Sequence, residues 1–478
     1  MSEKRRLTTE EKALKVNLRD DIYGCFAEIG AGQEVAANFF RAGGSSGTIA
    51  YTHSAYDMKI SDSFYGDCAR YVCEERLHQM LDKEYSTLEE TLTEKAKTNR
   101  LFVFANTVES LNYHKTNQGQ GWIGMKFQTS IGERPNDIVL HVKMHDTSNK
   151  RQQEALGILG VNLVHAAYFV ENDIDEFLEA LTYRLPRERI EIDMMSLSGP
   201  DLDSYDNRVV ALTLVKNGLT DATLFDQSGK VLQPRSALYK KNVLLMRGRF
   251  RPMTKVHVDM INCGREQYLK EDDVEEENVS VVLELTLKDL TADGRISKQD
   301  FADRAELLGS MGYTVMVSNY LKHYKMIEYL SYITKGKKIG VLLGIDNLRT
   351  IFDPKYYTTL NGGLLEAFGR GFGHNVKMFV YPLKNQETGE IHDLDSFTVP
   401  DNLAGLVDYM AQNNKIARFK KYNSETIDIQ SDDVLYKIQN GIEDWENDVP
   451  ESVMKAIKFY SLFGYKKKEE IRLESNAN

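Results

Sequence analysis

Residues 248–257 read Gly-Arg-Phe-Arg-Pro-Met-Thr-Lys-Val-His, directly after the apolar run Val243-Leu-Leu-Met. A hydroxyl and an imidazole three residues apart, Thr254 and His257, share one face of a helix. At a helix N-terminus, unbonded N–H groups and the macrodipole favour an anion. The apolar run predicts a buried strand, Gly248 and Pro252 a turn, and the residues from Val256 onward a helix. A phosphate-handling loop is the chemistry this order suits. The plainer alternative is an ordinary strand-to-helix connection whose histidine is structurally satisfied.

Two later segments bear on the choice. Val341-Leu-Leu-Gly344-Ile-Asp346-Asn347-Leu348 places a glycine and an acid at the end of a predicted strand. Gly344 permits close backbone approach, Asp346 can accept from ribose hydroxyls, and Asn347 or Asp346 can cap the next helix. Ile429-Gln-Ser431-Asp432-Asp433-Val434-Leu435 precedes Asn440-Gly441 and then Val449-Pro450-Glu451-Ser452-Val453.

In this order the segments resemble the signatures of the nicotinamide or nicotinate mononucleotide adenylyltransferases, members of the nucleotidyltransferase superfamily, over roughly residues 242–465. The resemblance implies a Rossmann-like fold and attack of a pyridine mononucleotide's phosphate on the α-phosphorus of ATP. Pyrophosphate leaves, and Mg2+ assists. It implies that His257 and Thr254 hold phosphates, that Gly248 and Phe250 shape the loop, and that Gly344 and Asp346 hold the adenosine side. Ser431 matches a serine of the family's Ile-Ser-Ser-Thr-x-x-Arg segment. Asp432 stands where that family has threonine, and Leu435 about where it has the arginine that neutralises triphosphate. Arg247, Arg249 and Arg251 alternate around Gly248, and residues two apart in extended chain point the same way. Arg249 or Arg251 is therefore the expected substitute, against the alternative of three solvated arginines. The rival function is a catalytically degraded nucleotide-binding module used in self-assembly or as a scaffold.

Positioning such a site takes alternating strands and helices. Strands are predicted at 243–246, 279–287, 313–317, 338–345 and 376–381, with helices beginning near Val258, Ser297, Tyr320 and Asn347. This is an α/β pattern, a doubly wound parallel sheet whose loops after Met246 and Leu343 share one rim. Residues 401–465 read as mainly helical and 466–478 as a charged tail. The first 235 residues read as a mixed α+β domain that resembles no family, with the boundary in the polar stretch 227–235. Strand-like runs there are 101–105, 122–127, 137–144, 161–170, 190–195 and 209–215, and helices 8–20, 34–42, 69–92 and 173–183. Glu28-Ile-Gly30-Ala-Gly32-Gln33 is a second glycine turn before a helix, either a weak nucleotide site or a plain turn.

Composition narrows the class. The 478 residues suit two or three domains, and 42% hydrophobic with 27% charged residues describes a folded, soluble chain. A net charge of −11 argues against a surface that grips nucleic acid or anionic lipid. The longest apolar stretch, 155–170, is shorter than the roughly 20 residues that span a bilayer. With no apolar leader after Arg6, a cytoplasmic location is expected. A homo-oligomer is expected too. Cys25, Cys68, Cys73 and Cys263 show no C-x-x-C spacing, so reduced structural thiols and no protein-held metal are expected. Residues 289–300 imitate a calcium loop but lack an acid at position 3 and a glutamate at position 12; a turn in which Ser297 and Asp300 cap a helix fits better.

Overall fold

The computed structural model describes residues 6–170, 173–292, 295–373 and 375–466. The chain divides into two compact units, Met1–Thr220 and Asp221–Asn478. Its strands are β1 Ile22–Gly30, β2 Ile49–His53, β3 Arg100–Glu109, β4 Gly119–Phe127, β5 Asn136–Met144, β6 Ile190–Ser198, β7 Ala222–Phe225, β8 Val231–Leu232 and β9 Asn242–Arg247. There follow β10 Val279–Thr286, β11 Thr291–Ala292, β12 Arg295–Ile296, β13 Thr314–Ser318, β14 Ile339–Gly344, β15 Val376–Tyr381, β16 Leu383–Lys384, β17 Ile391–His392 and β18 Ile416–Arg418. Parallel and antiparallel strands are mixed, so the molecule is α/β with mixed sheets.

The first unit carries a six-stranded sheet ordered β2-β1-β3-β4-β5-β6. β1 runs parallel to β2 and β3, and the pairs from β3 to β6 are antiparallel. Phe26, Phe102 and Phe104 lie fully buried in its core with Leu159 and Val164 from the helix Asn149–Phe169. That helix corrects the expectation of a strand at 161–170. Almost every position from 155 to 166 is buried, so no apolar stripe of helical period is visible, and only length separates a buried helix from a buried strand. The run 209–215 is likewise helical, within Asn207–Lys216, and is started by Asp206, whose carboxylate accepts from the Arg208 N–H.

The second unit carries an eight-stranded sheet ordered β18-β15-β14-β9-β10-β13-β7-β8. From β9 the chain steps outward to β10 and β13 on one side, then returns to build β14, β15 and β18 on the other. These six strands are parallel. β7 pairs antiparallel with β13, and β8 with β7. The boundary expected near residue 235 therefore moves to Thr220, because residues 222–232 complete this second sheet. Residues 401–465, expected to be mainly helical, also supply β18. The helix Lys255–Tyr268 lies so close to the sheet that a Cβ on Gly264 would come within 2.5 Å of the Leu342 side chain. Contact that tight seats the later turns of the helix on β14. Among the described residues no helix is long and apolar enough to cross a membrane.

Candidate functional site

Winding direction reverses between β9 and β14, and in open parallel sheets such a reversal leaves a crevice beyond the strands' carboxyl ends. A cleft of about 260 Å3 lies there. Met246 and Arg247 line it from β9 with Gly248 just beyond, Leu343 and Gly344 from β14 with Asp346 in the helix that follows, and Tyr381 from β15. His257, Asn347, Gln430 and Ser431 add to the polar lining, while Met260, Leu342, Ile427 and Ile429 are apolar. Apolar walls with a few convergent polar groups are the usual form of a small-ligand site.

The loop after β9 is shaped by Gly248 and Phe250. A Cβ at Gly248 would lie 2.9 Å from the Phe250 ring, which is buried and packs edge-on against His257 at 5.3 Å. Phe250 adopts a positive φ of 45°, a left-handed conformation that its packing must hold. Arg304, almost wholly buried, donates to the Arg249 carbonyl at 3.1 Å and braces the loop from below.

Thr254 does not face the cleft. It is fully buried, and its backbone N–H donates to His257 Nδ1 at 3.1 Å while its hydroxyl lies 2.9 Å from the same nitrogen. A backbone amide can only donate, so Nδ1 is the bare nitrogen and the neutral ring carries its proton on Nε2. Burial pushes the imidazole down to about 4, so it is uncharged at neutral pH. His257 thus offers the cleft an N–H donor on a ring aimed by Thr254. Sequence reasoning paired the two residues as phosphate contacts; the structure makes one the support of the other.

Gly344 precedes the helix Ile345–Ile351 with φ −77°, and a Cβ there would meet nothing within 4 Å. Neither Asp346 nor Asn347 caps that helix, contrary to expectation: both lie inside it, and Gly344 stands at the cap position. Asp346 is exposed and paired with Arg349 at 2.9 Å. Ser431 opens the helix Ser431–Gln439, as expected, and no side chain caps that helix either.

The three arginines around Gly248, and Arg418 and Lys437 from the later segments, each have a carboxylate partner. Arg247 lines the cleft but forms two 2.9 Å bonds with Glu284, which is completely buried and also accepts from the Ser318 hydroxyl at 2.5 Å. Arg249 grips Asp432 at 2.5 Å in an exposed pair, and Arg251 meets Asp300 at 2.8 Å. Arg418 pairs with Asp395, and Lys437 with Asp448 at 3.0 Å. Glu284 was missed in the sequence, although a lone acid inside the apolar run Val279–Thr286 was a usable signal: it sits in register with Arg247. Tyr381 was missed as well. Its hydroxyl donates to Asp259 at 2.6 Å, tying the end of β15 to the helix Lys255–Tyr268.

Mg2+ keeps most of its waters and is held largely through substrate phosphates, with one or two carboxylates. Among the described lining residues Asp346 is the one carboxylate, and it suits a metal delivered on ATP rather than a protein-held ion. Of the calcium-like segment, Asp293 and Gly294 lie outside the described residues. Ser297 accepts from the Asp300 N–H at 3.2 Å, as a helix cap does. Asp300 itself is occupied by Arg251 and Arg304.

In the first unit, the turn through Gly30 and Gly32 is filled from within. The Glu28 carboxyl group accepts from the Val35 and Ala36 N–H groups, each at 3.1 Å, at the start of the helix Glu34–Ala42. Burial raises Glu28 to about 7 against the opposing pull of these bonds.

No family model matches the chain, and no curated protein does. Solved structures similar to part of it include the competence/damage inducible protein CihA from Agrobacterium tumefaciens, 16% identical over 34% of this chain and 98% of that one, with a TM-score of 0.25. A competence-damaged protein (CinA) superfamily protein from Klebsiella pneumoniae is 15% identical over 34% and 95% of the two chains, with a TM-score of 0.24. A competence or damage-inducible protein from Enterobacter asburiae is 12% identical over 34% and 99%, with a TM-score of 0.24. At such TM-scores the likeness carries no argument about function.

Proposed function

We propose that the second unit is a Rossmann-like, nucleotidyltransferase-type domain that binds an adenine nucleotide in the cleft between β9 and β14. One observation carries this reading: the winding reversal brings Gly248, His257, Gly344 and Ser431, drawn from three separate segments, around a single cleft. An uncapped helix start at Ser431 and a neutral imidazole N–H supply donors, and the apolar walls suit a base or ribose ring. Arg247, Arg249, Arg251, Arg418 and Lys437 are each tied to a carboxylate, which favours binding over rapid phosphoryl chemistry, since that chemistry depends on charge stabilisation.

A second reading is adenylyl transfer from ATP to a pyridine mononucleotide with release of pyrophosphate. Two features favour it: Arg247 lines the cleft, and the exposed Arg249–Asp432 pair is weak enough for a triphosphate to displace. Positioning rather than a covalent nucleophile would then carry the reaction, with His257 donating to a phosphate oxygen. Mg2+ bound to ATP would neutralise developing charge. Purified protein incubated with ATP, Mg2+ and either mononucleotide separates the readings. Dinucleotide and pyrophosphate that vanish in His257→Ala support transfer. Saturable ATP binding without product supports the binding module, and neither binding nor product refutes both.

A further inference from the structure

The first unit holds a cluster of metal-binding donors that the cysteine spacing did not reveal. Cys68, Cys73 and Glu75 present ligand atoms that all lie within 4.8 Å of one another. The two Sγ atoms are 3.6 Å apart, and Cys68 Sγ is 3.9 Å from Glu75 Oε2. Two thiolates on a tetrahedral Zn2+, each at about 2.3 Å, are separated by about 3.8 Å. A thiolate and a carboxylate oxygen on the same ion are separated by about 3.5 Å. The cluster is therefore near the dimensions of a shared ion with nothing moved. Four intervening residues between the cysteines are also within the ligand spacing that structural zinc sites use.

The surrounding chain holds the donors in place. Cys73 caps the helix Glu74–Thr91, its sulfur accepting from the Arg76 N–H at 3.4 Å, which fixes the sulfur at the helix start. Tyr71, between the cysteines, is pinned at both ends: its hydroxyl donates to Asp62 at 2.7 Å, and its carbonyl accepts from the Thr107 hydroxyl at 2.5 Å. Arg76 is fully buried and also donates to Asp62 at 2.7 Å, which offsets its charge near the sulfurs. Both thiols donate to the Arg70 carbonyl, at 3.1 and 2.8 Å, so the reduced pair already converges on one point.

We propose that Cys68, Cys73 and Glu75 bind a thiophilic divalent cation of the Zn2+ class, with a fourth position for water. Binding exchanges the two thiol protons, released to solvent, for two metal–sulfur bonds, with no change of oxidation state. The half-buried sulfurs leave the ion a way in, and the site fastens the loop before the helix Glu74–Thr91.

Titration of the full-length protein, reduced and desalted under nitrogen, with Co2+ alone tests the site. A thiolate-to-cobalt charge-transfer band should saturate at a single Co2+ per chain and be bleached by Zn2+. Cys68→Ser and Cys73→Ser should each abolish the band, Glu75→Gln should weaken binding on the order of tenfold, and Cys263→Ser should leave it unchanged. Circular dichroism checks the fold, and Glu75→Gln, an exposed change, keeps the test decisive if a serine variant does not fold. Absence of the band in the wild type, or a band that survives both serine substitutions, overturns the proposal.

Discussion

Glycine-containing strand-to-helix turns occur in both units, look alike in the sequence and differ in what occupies them. After β1, the turn through Gly30 and Gly32 delivers a helix whose first N–H groups are already bonded to Glu28. Gly32 is there for packing: a Cβ would fall 2.0 Å from Asn106 Oδ1. After β9 and β14, Gly248 and Gly344 border an open cleft, and no side chain caps the helix that begins at Ser431. A helix start binds an external anion only where the protein has not supplied its own. The turn after β1 is closed by an internal carboxyl group and the helix after β9 by the Thr254–His257 capping box, whereas the helix starts at Ile345 and Ser431 carry no side-chain cap.

The largest expected effect breaks the closed turn. Glu28→Ala strips two buried N–H groups of their acceptor and should cost about 3 kcal/mol of first-unit stability in chemical denaturation. The same carboxyl predicts a pH dependence. Its folded value of about 7 exceeds its ordinary 4.5, so its contribution is complete below 4.5 and is lost as pH rises towards 7. Across that window the wild type should lose at most about 3 kcal/mol relative to Glu28→Gln; a flat difference would mean that the group stays ionised. Next, Gly248→Val should cost about 1–3 kcal/mol in the second unit, because the new side chain meets the Phe250 ring. Thermal melting that leaves the second unit unaffected would show the loop to be more yielding than its packing implies. The smallest effect concerns charge at the open turn. Asp432→Thr removes a carboxylate beside Ser431 and releases Arg249, so ATP should bind about threefold more tightly, with stability changed by less than about 0.5 kcal/mol. Unchanged affinity would place the triphosphate elsewhere.

The open site was more legible than its electrostatics. β9, β10, β13, β14 and β15 follow from β-branched runs between amphipathic stretches, and the meeting of residues after Met246 and Leu343 follows from the order of those strands. What the sequence hid was pairing across it. Nothing local shows that Arg249 meets Asp432 or that Glu284 neutralises Arg247, because those partners lie far apart in the chain. The division of roles between Thr254 and His257 was hidden too, since helical spacing gives adjacency but not which side chain is buried. In the first unit the helix Asn149–Phe169 was obscured for a related reason: burial on all sides erases the periodicity by which helices are read. Cys68 and Cys73 are separated by four residues rather than two, so a C-x-x-C spacing does not reveal them.

Gly344 gives the most direct test of nucleotide binding in the β9–β14 cleft. A Cβ there touches nothing and the backbone conformation accepts any residue, so Gly344→Val should fold normally while projecting two methyl groups into the ligand's space. Calorimetric titration with ATP should show saturable binding to the wild type and at least about a tenfold loss in Gly344→Val with an unchanged melting temperature. Equal affinity in the two proteins would contradict a nucleotide site at this cleft.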